Sequence, residues 1–124
     1  YRYKKINSLI LLNYAPEINE FLYWCQQLIA ESLGKKGKGI LPVVSPVPRD
    51  HHSLLQLYLD GPKDKLFYIF SLTCNKKMKI NKNVFGKTFS YVENKNLSKA
   101  QEAQKNALIH ALKIKNNTLE FFSF

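Results

Sequence analysis

Ser8-Leu9-Ile10-Leu11-Leu12 is a short, entirely apolar run near the beginning of the chain. Such a run is typical of a strand that is buried on both faces of a sheet. Leu66-Phe67-Tyr68-Ile69-Phe70-Ser71-Leu72 is rich in aromatic and β-branched residues and predicts a second strand. Residues 40–44 and 118–124 predict two further strands, so the chain contains at least four candidates for one sheet.

Helical patterns separate these strands. Pro16 opens a helix that is predicted to run to about Leu33, because its apolar residues recur at helical spacing. Gly34 is expected to end this helix in a left-handed cap. Ser98 and Gln101 resemble a capping box that begins a long helix to about residue 115. The buried stripe expected on that long helix consists of Ala100, Ala103, Ala107, Leu108, Ala111 and Leu112.

The order β-α-β-α-β-insert-α-β predicts a three-layer α/β/α sandwich with a mostly parallel sheet. Its 124 residues suffice for one domain, and 1–124 is interpreted as a single unit. Residues 73–95 are expected to form an exposed insertion or an edge hairpin, whose role the sequence leaves open. Ligands of such sheets bind outside the carboxyl ends of the strands.

Composition limits the possible classes of protein. Hydrophobic residues make up 45% and charged residues 23%, the balance of a globular protein. No apolar run is long enough to cross a bilayer, and no signal-peptide core follows the basic start, so we expect no membrane partner. Cys25 and Cys74 sit in apolar segments without a motif and predict reduced, buried thiols in a cytoplasmic protein.

The formal net charge of +10 raises the possibility of a nucleic-acid partner. Only Arg2 and Arg49 are arginines, whereas nucleic-acid sites favour the planar arginine fork. The lysines are scattered, apart from one concentration at Lys76, Lys77, Lys79, Lys82 and Lys87. We therefore expect no nucleic-acid partner; salt-sensitive binding to DNA or RNA is the alternative.

A glutamine and a glutamate one helical turn apart are the first candidate site. In Gln27-Leu28-Ile29-Ala30-Glu31-Ser32-Leu33-Gly34-Lys35, the Glu31 carboxylate can take a proton and return it without permanent change. We expect Glu31 to be partly buried in the last turn of its helix. Gln27 lies on the same face and can bind substrate or steady the carboxylate. The alternative is an ordinary solvated stripe.

A pair of histidines is the second candidate site, in Asp50-His51-His52-Ser53-Leu54-Leu55-Gln56-Leu57. Asp50 is expected to cap a deeply packed helix that runs from about residue 51 to 59. His52 would then lie in its first turn, where the helix dipole favours a neutral imidazole able to act as acid or base. The alternative is that His51 and His52 cap and pack the loop.

No metal or other cofactor is expected. Adjacent histidines diverge in direction, and no carboxylate stands at ligand spacing from His110 on the last long helix. His110 is interpreted as a packing residue.

Together, the two motifs, the second continuing into Asp60-Gly61-Pro62-Lys63-Asp64, resemble the C-terminal sugar-isomerase (SIS) domain of the glucose-6-phosphate isomerase family. The resemblance runs from about Ser8 to Phe124. It implies a SIS-type, flavodoxin-like fold that is incomplete at both ends here, and a bacterial two-domain enzyme of which this chain is a fragment.

By position, Glu31 matches the family's isomerisation base, Gln27 the glutamine one turn before it, and His52 the ring-opening histidine. His51 stands where many members have glutamine. The resemblance implies a cytoplasmic homodimer of glycolysis and gluconeogenesis that acts on hexose 6-phosphates through a cis-enediolate, with His52 reaching the neighbouring subunit's active site.

The family's phosphate-binding serines and threonines and its C-terminal lysine have no counterpart in this chain. The fragment alone is therefore expected to be inactive. The alternative is a non-catalytic phosphosugar-binding SIS regulatory domain.

Overall fold

A computed structural model of the chain describes residues 6–72 and 96–123. The predictions for the lysine concentration, Cys74 and the insertion 73–95 fall outside the described residues.

Four parallel strands form one sheet: β1 (Ser8–Asn13), β2 (Leu41–Pro46), β3 (Lys65–Ser71) and β4 (Thr118–Ser123). Their order across the sheet is β2-β1-β3-β4. β1 is central, with Leu11 aligned with Val44 on one side and with Tyr68 on the other. The chain reverses its direction of winding between β1 and β3, and this boundary, the switch point, is where such sheets bind ligands.

Alternate residues of β1 point to opposite faces of the sheet and enter two separate cores. Leu9 and Leu11 pack with Leu22 of the first helix. Ile10 and Leu12 pack on the other face, in a larger cluster with Tyr14, Val47, Tyr58, Phe67, Ile69, Leu108 and Leu112. Helices thus cover both faces, and the predicted three-layer α/β/α arrangement is confirmed.

The first helix follows the predicted bounds. A 3₁₀ turn at Pro16–Ile18 leads into α1 (Asn19–Leu33). The prediction of a left-handed cap at Gly34 is wrong, because its φ is −76°. Glycine is required there for space: an added Cβ would lie 2.6 Å from the Ala30 carbonyl oxygen. Cys25, expected to be buried, is a half-buried free thiol.

The second predicted helix is divided into α2 (Arg49–Ser53) and α3 (Leu55–Asp60). Asp50 does not cap it, because Pro48 holds the cap position and the Asp50 side chain turns inward to Ser45. Deep packing is also only partly correct: Tyr58 is buried, whereas Leu57 is exposed.

The last helix, α4 (Leu97–Ile114), begins two residues earlier than a cap at Ser98 predicted. The Asn96 side chain accepts a hydrogen bond from the Ser98 backbone N–H, so asparagine is the cap. Gln101 instead donates to the Tyr14 carbonyl. Among residues 6–72 and 96–123, no helix is long and apolar enough to cross a membrane.

The buried face of α4 is narrower than predicted. Leu108 and Leu112 are buried, but the alanines at 100, 103 and 107 are exposed, since they lie to one side of the line joining the two leucines. The interpretation of His110 as a packing residue is wrong: it is exposed, because it projects from the opposite side of the helix.

Candidate active site

Glu31 and Gln27 lie on an exposed face of α1. Gln27 Nε2 donates a hydrogen bond to Glu31 Oε1 at 3.0 Å, the geometry expected of residues four apart on a helix. The expected partial burial of Glu31 is not found in this chain, because no described element covers this face. Glu31 therefore presents an exposed carboxylate that Gln27 orients.

His52 lies at the carboxyl edge of the sheet, six residues after the end of β2. Its side chain is exposed. The prediction that His52 lies in the first turn of a long helix is wrong. The helix α2 has only five residues and His52 lies in its last turn, so no long helix directs its amino end at the imidazole. The imidazole is nevertheless free to meet a substrate from outside.

Glu31 and His52 are not brought together within one chain. α1 runs from the carboxyl edge of the sheet, after β1, to the amino edge, before β2, so Glu31 is near the amino edge. His52 follows the carboxyl end of β2. A six-residue strand separates the two edges by about 20 Å. One chain therefore cannot present both groups to one sugar.

A buried hydrogen-bond network fixes the turn before His52. The Ser45 hydroxyl donates to Asp50 Oδ2 at 2.9 Å and accepts from the Tyr58 hydroxyl at 3.2 Å. Arg49 Nε donates to Asp50 Oδ1 at 3.1 Å. Ser45 is fully buried and Asp50 is 8% exposed. The Asp50 carboxylate is thereby paired with the Arg49 cation and held against the end of β2.

His51 makes a different contact, to the residue that follows β1. Its Nε2 lies 3.0 Å from the Tyr14 hydroxyl, and the two rings meet edge to face with centroids 5.9 Å apart. Burial lowers the pKa of His51, against the opposing effect of the Asp50 carboxylate. Burial also raises the pKa of Tyr14, so its hydroxyl stays protonated in its hydrogen bond with the His51 ring.

A polar cavity of about 130 Å³ lies at the switch point. It is lined by the ends of β1 and β3 and by the first turns of α4: Tyr14, Ser71, Leu72, Ser98, Gln101, Glu102 and Lys105. Lys105 Nζ donates to the Ser71 hydroxyl at 3.2 Å. The cavity thus offers a cation and several hydrogen-bonding groups.

Tyr14, Ser71 and Lys105 were missed from the sequence. Tyr14 and Ser71 could have been found, because each lies at the carboxyl end of a predicted central strand, where this fold binds ligands. Nothing in the local sequence marks Lys105, which is one of seventeen lysines.

The described residues contain no group of three His, Cys, Asp or Glu side chains that could hold a metal ion.

The chain is 36% identical, over 123 residues and 95% of its length, to the glucose-6-phosphate isomerase of Campylobacter jejuni. The chain matches one part of a glucose-6-phosphate isomerase. A second such isomerase, from Mycoplasmopsis pulmonis, is 35% identical over 87% of the chain, and that of Methanocaldococcus jannaschii is 49% identical over 57 residues. The resemblance to glucose-6-phosphate isomerase carried by the two motifs is confirmed. No protein-family model matches the chain.

The chain spans 30% of the Campylobacter glucose-6-phosphate isomerase and 26% of the Mycoplasmopsis one. A crystal structure of a hypothetical protein from Thermus thermophilus superimposes on 95% of the chain and on 30% of that protein, with a TM-score of 0.82 and 24% sequence identity. This likeness supports the fold alone.

Proposed function

We propose that this chain is most of the C-terminal sugar-isomerase domain of a larger two-domain enzyme that interconverts glucose 6-phosphate and fructose 6-phosphate. The observation that carries the proposal is the match to a glucose-6-phosphate isomerase over 95% of the chain. The exposed Gln27–Glu31 pair supports it, because the reaction needs an accessible carboxylate.

Glu31 is the proton-shuttling base. Its carboxylate removes the proton from C2 of the open-chain aldose, which gives a cis-enediolate, and returns a proton to C1 while the hydroxyl proton moves from O2 to O1, which gives the ketose. Gln27 binds substrate and orients the carboxylate through its hydrogen bond to Oε1. The same two steps run in reverse for the opposite reaction. They move protons within one sugar without an external oxidant or reductant, so no cofactor is required.

His52 opens the sugar ring before the proton moves, and it does so in the active site of the neighbouring subunit of a homodimer. The positions of Glu31 and His52 at opposite edges of the sheet support this division, because one chain cannot present both to one sugar. An imidazole suits the role, since it can exchange a proton with the ring oxygen near neutral pH.

The rest of the polypeptide supplies the groups that hold the phosphate, so the chain alone is inactive. The enzyme acts in the cytoplasm, in glycolysis and gluconeogenesis, without a nucleic-acid or membrane partner. The chain spans only 30% of the Campylobacter glucose-6-phosphate isomerase, which supports the division of these roles between the chain and the rest of the polypeptide.

The decisive experiment replaces Glu31 with glutamine in the full-length protein and follows isomerisation of fructose 6-phosphate with a coupled assay. Turnover should fall by about 10³-fold while substrate binding persists, because general base catalysis typically contributes 10²–10⁴-fold. Glu20→Gln, which removes an exposed carboxylate from the same helix, is the matched control and should leave turnover unchanged. Full turnover in Glu31→Gln would contradict the role of Glu31 as the proton-shuttling base.

A second candidate function is that of a non-catalytic regulatory domain that binds phosphosugars. The polar cavity at the switch point favours it, since Lys105 and Ser71 can bind a phosphate there. This function predicts that the full-length protein binds fructose 6-phosphate without turnover and that Lys105→Met abolishes binding. Isomerisation by the unsubstituted protein, together with unchanged binding in Lys105→Met, would exclude it.

A further inference from the structure

We propose that His51 is a positioning residue, which holds the ring-opening His52 in place by its hydrogen bond to Tyr14. The inference deepens the proposed function and rests on it. His51 Nε2 and the Tyr14 hydroxyl are 3.0 Å apart, and Tyr14 belongs to the central part of the fold, whereas His52 is exposed on the surface. The contact therefore connects a surface group to the core.

Tyr14 is a fixed reference point. It is 4% exposed and belongs to the larger core cluster. Its N–H donates to the Phe70 carbonyl at 2.9 Å, and its carbonyl accepts from Gln101 Nε2 at 2.6 Å. The Asn13 side chain brackets it, accepting from the Ala15 N–H and donating to the Ala15 carbonyl. Its hydroxyl consequently has little freedom to move.

The turn is held at two successive residues. Asp50 is tied to Ser45 at the end of β2, and His51 is tied to Tyr14 at the end of β1. Two adjacent anchors on two different strands fix both the position and the rotation of the backbone, so the direction of the next side chain, His52, is determined. With the Asp50 anchor alone, the turn could still rotate about that point.

The His51 ring suits this role better than it suits catalysis. Its Nε2 is already engaged by Tyr14, and burial keeps the ring neutral. A glutamine side chain can donate a hydrogen bond to the tyrosine hydroxyl or accept one from it, whereas leucine can do neither. The pair His51→Gln and His51→Leu therefore separates the hydrogen bond from the volume of the side chain.

The kinetic test uses the full-length protein. His51→Leu and Tyr14→Phe should each lower kcat for fructose 6-phosphate by about 10- to 100-fold, with KM changed less than about twofold, because small misplacement of a reacting group costs this much. His51→Gln should restore kcat to within about threefold. The double variant Tyr14→Phe/His51→Leu should be no slower than either single one, because both changes break the same bond.

Two results would overturn the inference: full kcat in His51→Leu, or losses that multiply in the double variant. A loss of folded protein alone would lower the apparent kcat without changing KM, so the folded fraction of each variant is measured by thermal unfolding and kcat is calculated per folded site. A fall in kcat per folded site that glutamine rescues is the readout that a purely structural role would not produce.

A second measurement separates this inference from the proposed function. The chain has three histidines, whose ring resonances can be followed by NMR in the ¹⁵N-histidine-labelled chain. The His52 resonances should shift in Tyr14→Phe, a substitution that leaves both sequence neighbours of His52 unchanged. An unsubstituted full-length protein that fails to isomerise overturns the proposed function alone; His52 resonances that are unchanged in Tyr14→Phe overturn the positioning role.

Discussion

Gln27 Nε2 donates a 3.0 Å hydrogen bond to Glu31 Oε1 across one turn of an exposed helix face. Such a bond hardly stabilises the fold, so its value lies in directing the carboxylate. Gln27→Met in the full-length enzyme should lower kcat by about tenfold, because a carboxylate that is no longer directed lies out of line with the proton that it removes. It should change the free energy of unfolding by less than about 0.5 kcal/mol.

The adjacent glutamine is the matched control. Gln26 Oε1 accepts a hydrogen bond from the Val44 N–H of β2 at 3.1 Å, so it joins α1 to the sheet. Gln26→Met should lower the free energy of unfolding by about 1 kcal/mol and leave kcat unchanged. Equal effects of the two substitutions on kcat would contradict the role given to Gln27.

Subunit mixing tests whether Glu31 and His52 serve different active sites. In the proposed homodimer, Glu31→Gln and His52→Gln should each abolish activity, but a mixed dimer should retain one site with both groups intact. Co-expression should therefore restore about one quarter of the wild-type activity if the subunits assort at random. Activity that stays at the level of the parent variants would show that both groups act within one chain.

Leu112 is fully buried between α4 and the sheet, whereas Leu97 on the same helix is 48% exposed. Leu112→Ala should lower the free energy of unfolding by about 2–5 kcal/mol, because it leaves a cavity in the larger core. Leu97→Ala should change it by less than about 0.5 kcal/mol. Urea unfolding of the chain measures both, and similar values would contradict the packing of α4.

The lowered pKa of His51 makes stability depend on pH. Below the ordinary histidine value of about 6.5, the unfolded chain binds a proton at His51 that the folded chain resists, so stability falls as the solution is acidified. Asp50 opposes this shift and Tyr14 faces the ring. In urea titrations from about pH 7.5 to 5, His51→Gln should reduce the pH dependence. An unchanged pH dependence in His51→Gln would contradict the lowered pKa of His51.

The sheet was predictable because its strands are unambiguous in sequence. Ser8–Leu12 and Leu66–Leu72 are apolar apart from Ser8 and Ser71. Segments of helical periodicity separate them, so a parallel α/β fold is the simplest arrangement. The helix caps were less predictable. Asp50 and Ser98 fit capping patterns, yet tertiary contacts to Ser45 and a better-placed Asn96 decide the actual cap.

The candidate site was predicted only in part. Gln27 and Glu31 are four apart on a helix, so their contact follows from local geometry. The Tyr14–His51 bond joins residues thirty-seven positions apart, one directly after β1 and the other in α2, and no local pattern predicts it. The exposed alanines of α4 show a similar limit. Their spacing predicts an apolar stripe along the helix, but it does not predict which part of that stripe other elements cover.

The separation of Glu31 and His52 by the length of a strand has a consequence for how the proposed enzyme responds to dilution. An isolated subunit contains no complete site, so specific activity must fall once the protein concentration drops below the dimer dissociation constant. Catalysis would then report assembly directly, and a stably folded monomer would be indistinguishable in an activity assay from an unfolded one.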